Sequence, residues 1–134
     1  FSAVKSNDKI GLIIFTDRIE KFIPPGKGTS HVLHVIRELL YFKPEGKKTD
    51  ISCSLEYLSK VSIRKTISFL VSDFLGVLNY KKALQIANKR HDIVAIKIND
   101  PREKEFVPVG IVYLEDAETG ERILVDTRDI KARN

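Results

Sequence analysis

Three short apolar runs constrain the fold more than anything else in this sequence. They are Ile10-Gly11-Leu12-Ile13-Ile14-Phe15, Thr66-Ile67-Ser68-Phe69-Leu70-Val71-Ser72 and Asp92-Ile93-Val94-Ala95-Ile96-Lys97-Ile98. Each is strand-length, nearly continuous in apolar residues and bounded by polar or turn-forming ones. Such runs predict strands buried on both faces. Between them lie segments with helical periodicity. Val32, Val35, Ile36, Leu39 and Leu40 fall on one face of a helix that Thr29 or Ser30 would cap. Thr49 or Asp50 caps a second helix with Ile51, Leu55 and Leu58 inward. Asn79 starts a third with Tyr80, Ala83, Leu84 and Ala87 inward. Lys89, Arg90 and His91 sit at its C-terminal end, where positive charge is favoured.

Helices alternating with buried strands require crossover connections and predict an α/β fold. The sheet is expected to be open and mostly parallel, with helices on both faces. Two hairpins flank this middle. Arg18 to Ile23 alternates partially after the first run and stops near Pro24-Pro25-Gly26, which predicts an edge strand. Gly110 to Leu114 and Arg122 to Val125 predict a second hairpin around Asp116-Ala117-Glu118-Thr119-Gly120.

Composition narrows the class. With 134 residues, 43% apolar and 31% charged, one ordered domain over residues 1–134 is expected. No apolar run reaches the ~20 residues of a membrane span. No secretory leader is visible at Phe1-Ser2-Ala3-Val4-Lys5. The single cysteine, Cys53, reads as a small buried residue and fits a cytoplasmic setting. The sequence has no methionine, and residues 1–6 read like the end of a helix. Both lead to the expectation that the chain is N-terminally truncated, with an upstream element preceding Phe1. A net charge of +5 implies mild attraction to anionic partners.

Most constellations that carry chemistry are missing. Gly26-Lys27-Gly28-Thr29 lacks the spacing of a phosphate loop. His31 and His34 share a helix, but no further Cys or His completes a zinc site, so surface histidines are expected. His91-Asp92 reads as a helix-end charge or a local hydrogen bond. Ser72-Asp73-Phe74 lacks the nucleophile elbow. In open α/β sheets, ligands bind beyond the C-terminal ends of the strands. Thr49, Asp73 and Asp100 are expected at that edge. A hydroxyl and a carboxylate there suit a hard divalent cation, although capping roles are commoner.

The ordered set Phe1-Ser2-Ala3, Asp8 to Phe15, Ile23-Pro24-Pro25-Gly26-Lys27-Gly28, Thr49-Asp50-Ile51, Val71-Ser72-Asp73-Phe74, Arg90-His91-Asp92-Ile93, Asp100-Pro101-Arg102-Glu103 and Asp116 to Glu121 resembles a bacterial family. That family is called domain of unknown function 58. The resemblance covers essentially the whole chain. It implies a six-stranded, Rossmann-like sheet of the von Willebrand factor A type and an association with MoxR-type AAA+ ATPases. It also implies a metal-ion-dependent adhesion site built from an Asp-x-Ser-x-Ser motif, a threonine and an aspartate. Thr49 and Asp73 match the last two. The first motif would lie upstream of Phe1, and the missing first strand would lie at the sheet centre.

The expected function is therefore protein recognition through Mg²⁺ or a similar cation, without catalysis. Thr49 and Asp73 serve as metal-site residues, and Phe74, Leu75, Asp100, Arg102 and Glu103 as partner contacts. With two candidate ligands, this chain alone is not expected to hold the ion tightly. Self-association through unpaired strand edges is expected. Two other functions stand against this reading. One is a metal-assisted hydrolase using Asp73, Asp100 and Glu103. The other is weak nucleic-acid binding through Lys27, Lys47, Lys48, Arg64 and Lys65, which lack interleaved aromatics.

Overall fold

The computed structural model describes residues 2–75, 80–99, 111–115 and 122–126. The elements run α1 (Ser2–Lys5), β1 (Ile10–Phe15), β2 (Ile19–Gly26), α2 (Thr29–Tyr41), α3 (Ile51–Val61), β3 (Ile67–Ser72), α4 (Tyr80–Arg90), β4 (Asp92–Lys97), β5 (Ile111–Glu115) and β6 (Arg122–Asp126). The fold is mixed α/β, as the alternation predicts. Its strands form three two-stranded sheets, β1-β2, β3-β4 and β5-β6.

The chain divides into two compact units. The first holds residues 1–68 and 76–93, and the second holds 69–75 and 94–134. In the first unit, β1 and β2 pair antiparallel, with Leu12 opposite Ile23 and Ile13 opposite Phe22. The register shifts between Ile10 and Leu12. Gly11 sits in that irregularity because a Cβ there would meet the Ile23 carbonyl oxygen at 3.0 Å. The exposed prolines 24 and 25 lie within β2, which has one strand neighbour, so their missing N–H groups are tolerated.

Helix α2 buries Val32 and Val35, but Leu39 and Leu40 at its far end are 56% and 72% exposed. Its apolar stripe is therefore only half used. Its N-cap is Gly28 at φ 88°, with no side-chain cap, so neither Thr29 nor Ser30 plays that role. Helix α3 starts as the sequence predicts. The Asp50 carboxylate accepts from the Ser52 and Cys53 amides, and Ile51 and Leu55 are buried beneath it. Phe22 of β2 meets Tyr57 of α3 edge-on at 5.5 Å. Lys21 pairs with Glu38 of α2 at 3.2 Å. Among the described residues of this unit, Ile23, Val32, Val35, Ile51, Leu55 and Ala87 are the buried apolar ones. Strand β1 is less buried than predicted. Gly11 is exposed and its apolar side chains are only half-buried, because β2 supplies its one strand neighbour.

Strands β3 and β4 run from the first unit into the second. The Asp92 amide donates to the Thr66 carbonyl, and the Ile98 amide donates to the Ser72 carbonyl, at 2.9 and 3.0 Å. Both bonds carry the same sequence offset, which only parallel strands maintain. This is the parallel pairing the sequence predicts, confined to two strands. Within the second unit, Leu70 is buried whereas Phe69, Val71, Val94, Ile96 and Ile98 are exposed. The prediction of a β4 buried on both faces is thus corrected, since four consecutive residues from Val94 to Lys97 are exposed. Apolar content sets what a strand can bury, not what covers it. Strands β5 and β6 pair antiparallel from Ile111 opposite Asp126 to Glu115 opposite Arg122, as predicted. The turn predicted between them, and Asn79, lie outside the described residues. Among the described residues, no helix is long and apolar enough to cross a membrane.

Candidate functional site

Thr49 lies in the polar loop between α2 and α3, and that loop is pinned at both ends to the β1-β2 hairpin. At one end the Gly46 amide donates to the Glu20 Oε1 at 2.8 Å. The Thr16 hydroxyl donates to the same oxygen at 2.8 Å. At the other end the Asp50 amide donates to the Thr16 carbonyl at 2.9 Å. Gly46 approaches so closely that a Cβ would meet the Thr16 Cβ at 2.7 Å and the Asp17 Oδ1 at 2.8 Å. Only glycine permits that approach without displacing Thr16. Arg18 extends the network, reaching Glu20 at 3.6 Å and Glu45 at 3.1 Å. The Glu20 side chain is 5% exposed. The Gly46 amide, followed by the Thr16 hydroxyl, draws its carboxyl below the ordinary carboxylate range, against the opposing push of burial.

Thr49 is half-buried within this clamped loop. Sequence reasoning missed the clamp. The available signals were a carboxylate inside an otherwise apolar strand and a glycine in a polar loop, and neither names its partner.

Asp73 follows β3 in the second unit and is exposed. Its Oδ1 accepts from the Leu75 amide at 3.0 Å, and the Ser72 hydroxyl accepts from the Phe74 amide at 3.1 Å. These side-chain-to-backbone bonds hold a tight turn. Phe74 sits at φ 57°, in the left-handed region that non-glycine residues occupy at a cost of ~1–2 kcal/mol. The turn presents the Asp73 carboxylate just past the strand. Phe74 is half-buried and Leu75 is 52% exposed. Thr49 and Asp73 belong to different units, and each is described within its own. Asp100, Arg102 and Glu103 lie outside the described residues. Both Thr49 and Asp73 offer hard oxygen donors of the kind Mg²⁺ takes, so their chemistry fits such an ion.

The remaining candidates separate clearly. His34 is exposed, and His31 is half-buried with its Nε2 2.8 Å from the Ile10 carbonyl. His91, at the junction of α4 and β4, is 1% exposed. Its Nδ1 lies 3.1 Å from the Thr66 hydroxyl, and its Nε2 is buried with no hydrogen-bond partner among the described residues. Burial, then the neighbouring Arg90, pushes its pKa below 6.5. The helix-end charge is therefore disfavoured, and the ring's hydrogen bond is not local but reaches Thr66, far away along the chain. Cys53 is half-buried, and burial pushes its thiol pKa up, which makes it a poor nucleophile. Lys27, Lys47, Lys48, Arg64 and Lys65 are all exposed, and Lys65 pairs with Asp92 at 2.9 Å.

Comparison with known proteins places these features in a family. The uncharacterized proteins Mb1516 of Mycobacterium bovis and Rv1480 of Mycobacterium tuberculosis are each 30% identical over 115 residues. The match covers 84% of this chain and 36% of theirs, so the chain spans about a third of these relatives. The uncharacterized protein MAV169 of Mycobacterium avium is 36% identical over 77 residues, which cover 58% of this chain and 46% of that one. No solved structure matches. The family model described as "Protein of unknown function DUF58" matches residues 1–134, and the chain belongs to that family.

Proposed function

We propose that this chain is part of a von Willebrand factor A-like interaction domain that recognises a protein partner through a divalent cation. The observation that carries the reading is the Asp73–Phe74 turn. An exposed carboxylate stands directly past a parallel strand, on a backbone strained at Phe74. Strain of this kind is retained where the surrounding structure holds a side chain for a purpose. By the family resemblance Thr49 is the second donor, and within its own unit its loop is held in place by Glu20 and Thr16. The ion, Mg²⁺ or a similar cation, supplies a charge that a partner's carboxylate completes. The chain supplies oxygen donors, their orientation and the apolar neighbours Phe74 and Leu75. Recognition of this kind needs no bond to be broken, so the domain acts as a binding module and not as an enzyme. By the family resemblance, the partner is a MoxR-type AAA+ ATPase in the cytoplasm, and Asp100, Arg102 and Glu103 contribute contacts.

The test uses the full-length protein and, as the proposed partner, a MoxR-type ATPase. Asp73→Ala and Thr49→Ala are expected to weaken Mg²⁺-dependent docking about tenfold or more, a loss of the size expected when a hydrogen-bonded charge pair loses one partner. Melting temperatures should stay near that of the parent. Unchanged docking in both variants overturns the reading. A large fall in melting temperature assigns these residues to turn formation and capping instead.

A further inference from the structure

Helices α3 and α4 pack side by side in the first unit and leave a groove of about 580 Å³ between them. On α4 the lining residues Lys82, Ile86 and Arg90 recur every fourth position, so they form one row along the helix. Leu55 of α3 and Ala83 and Ile86 of α4 give the groove its apolar surface, and Ile86 is 54% exposed. Lys60, Lys82 and Arg90 stand along it against a single carboxylate, Glu56. Helix α4 as a whole carries Lys81, Lys82, Lys89 and Arg90 and no acidic residue. Among the described residues, no salt bridge engages Lys60 or Lys82.

We propose that the α3–α4 groove is a docking site for an acidic amphipathic helix of a protein partner. Two neighbouring helices offer ridges into whose groove a third can pack, at axis separations of about 8–10 Å. Each groove helix has 11 residues, which is ~16 Å or about three turns, the length of a typical docked helical motif. The apolar floor selects the partner's apolar stripe, and the uncompensated lysines select carboxylates on its flanks. Nucleic acid fits less well, because no aromatic side chain lines the groove and Glu56 repels phosphate. A bilayer also fits less well, because membrane-bound surfaces present apolar side chains outward and these line a recess. The proposal shares no residue with the Thr49 and Asp73 reading, so either can fail alone.

The experiment measures fluorescence anisotropy of a synthetic helix of ~18 residues, with Leu at helical spacing and Glu elsewhere, added to the full-length protein. The patterned peptide is expected to bind, less tightly at high salt, and a scrambled peptide of equal composition is expected to bind at least ~10-fold more weakly. Lys60→Glu with Lys82→Glu should weaken binding about tenfold, and Ile86→Ser several-fold, whereas Asp73→Ala should leave it unchanged. Circular dichroism checks each variant. If the charge reversal unfolds the protein, Lys60→Gln with Lys82→Gln should still give a smaller loss in the same direction. Equal binding of the scrambled peptide, or full affinity in the lysine variants, overturns the proposal. Tighter binding to phosphatidylserine vesicles or single-stranded DNA through the same lysines also overturns it.

Discussion

The two compact units treat their apolar residues differently. In the first, Ile51 is wholly buried and Leu55 and Ala87 are nearly so, while Glu20, Gly46, Thr16 and Asp50 tie a loop to a hairpin. In the second, Leu70 is buried, yet Phe69 is 64% and Ile98 58% exposed. A parallel pair normally has both faces covered, because crossover elements lie on them. Here one face of β3 is covered at Leu70 and the other, at Phe69 and Val71, is open. Each of β1 and β3 also has a single strand partner among the described residues, which leaves one hydrogen-bonding edge of each unmatched. The comparison teaches that a strand's apolar content and its burial are separate properties. The first unit combines a buried core with exposed apolar residues such as Leu39, Leu40 and Ile63, whereas the second, among its described residues, buries Leu70 and leaves Phe69 and Val71 beside it open to association.

The largest expected effect tests the first unit's core. Ile51→Ala should lower unfolding stability by about 3 kcal/mol, the usual range for a large-to-small change at a fully buried site. Urea titration would show it as a fall in midpoint at unchanged slope. A loss below about 1 kcal/mol, the typical mutational effect, would erase the contrast between the units.

A second test concerns pH. His91 has its pKa depressed below 6.5 in the fold, so at lower pH the unfolded chain binds a proton that the folded one resists. Its contribution to stability is therefore complete above pH 6.5 and is lost as pH falls through the folded value. Urea midpoints measured down to about pH 5 should decline in the parent and decline less in His91→Gln. Parallel profiles for the two proteins would show that His91 does not govern this window.

The smallest stability effect is expected in the second unit. Phe69→Thr with Ile96→Thr should change unfolding stability by no more than about 0.5 kcal/mol, as for exposed positions generally. The same change should reduce concentration-dependent light scattering, because it removes apolar area open to a second copy. A stability loss comparable to that of Ile51→Ala would mean these side chains are buried in solution, and the comparison would fail.

Local chemistry made much of this protein legible before any coordinates. The order of helices and strands follows from hydrophobic period, and both hairpins follow from turn formers between apolar runs. Asp50 could be read as a cap because its amide partners, Ser52 and Cys53, lie two and three residues away. Asp73 was legible as a turn residue after a strand, and the ordered motifs were enough to indicate the family. Only tertiary structure decided the rest. Glu20 meets Gly46 across a loop and a helix, His91 disappears beneath neighbours that its own segment does not specify, and β4 stays exposed despite its apolar run. The physical reason is distance along the chain. Capping, turns and periodicity are settled by residues within a turn or two of each other. Burial and buried hydrogen bonds depend on which remote element covers a face, and a strand's own sequence records only its readiness to be covered.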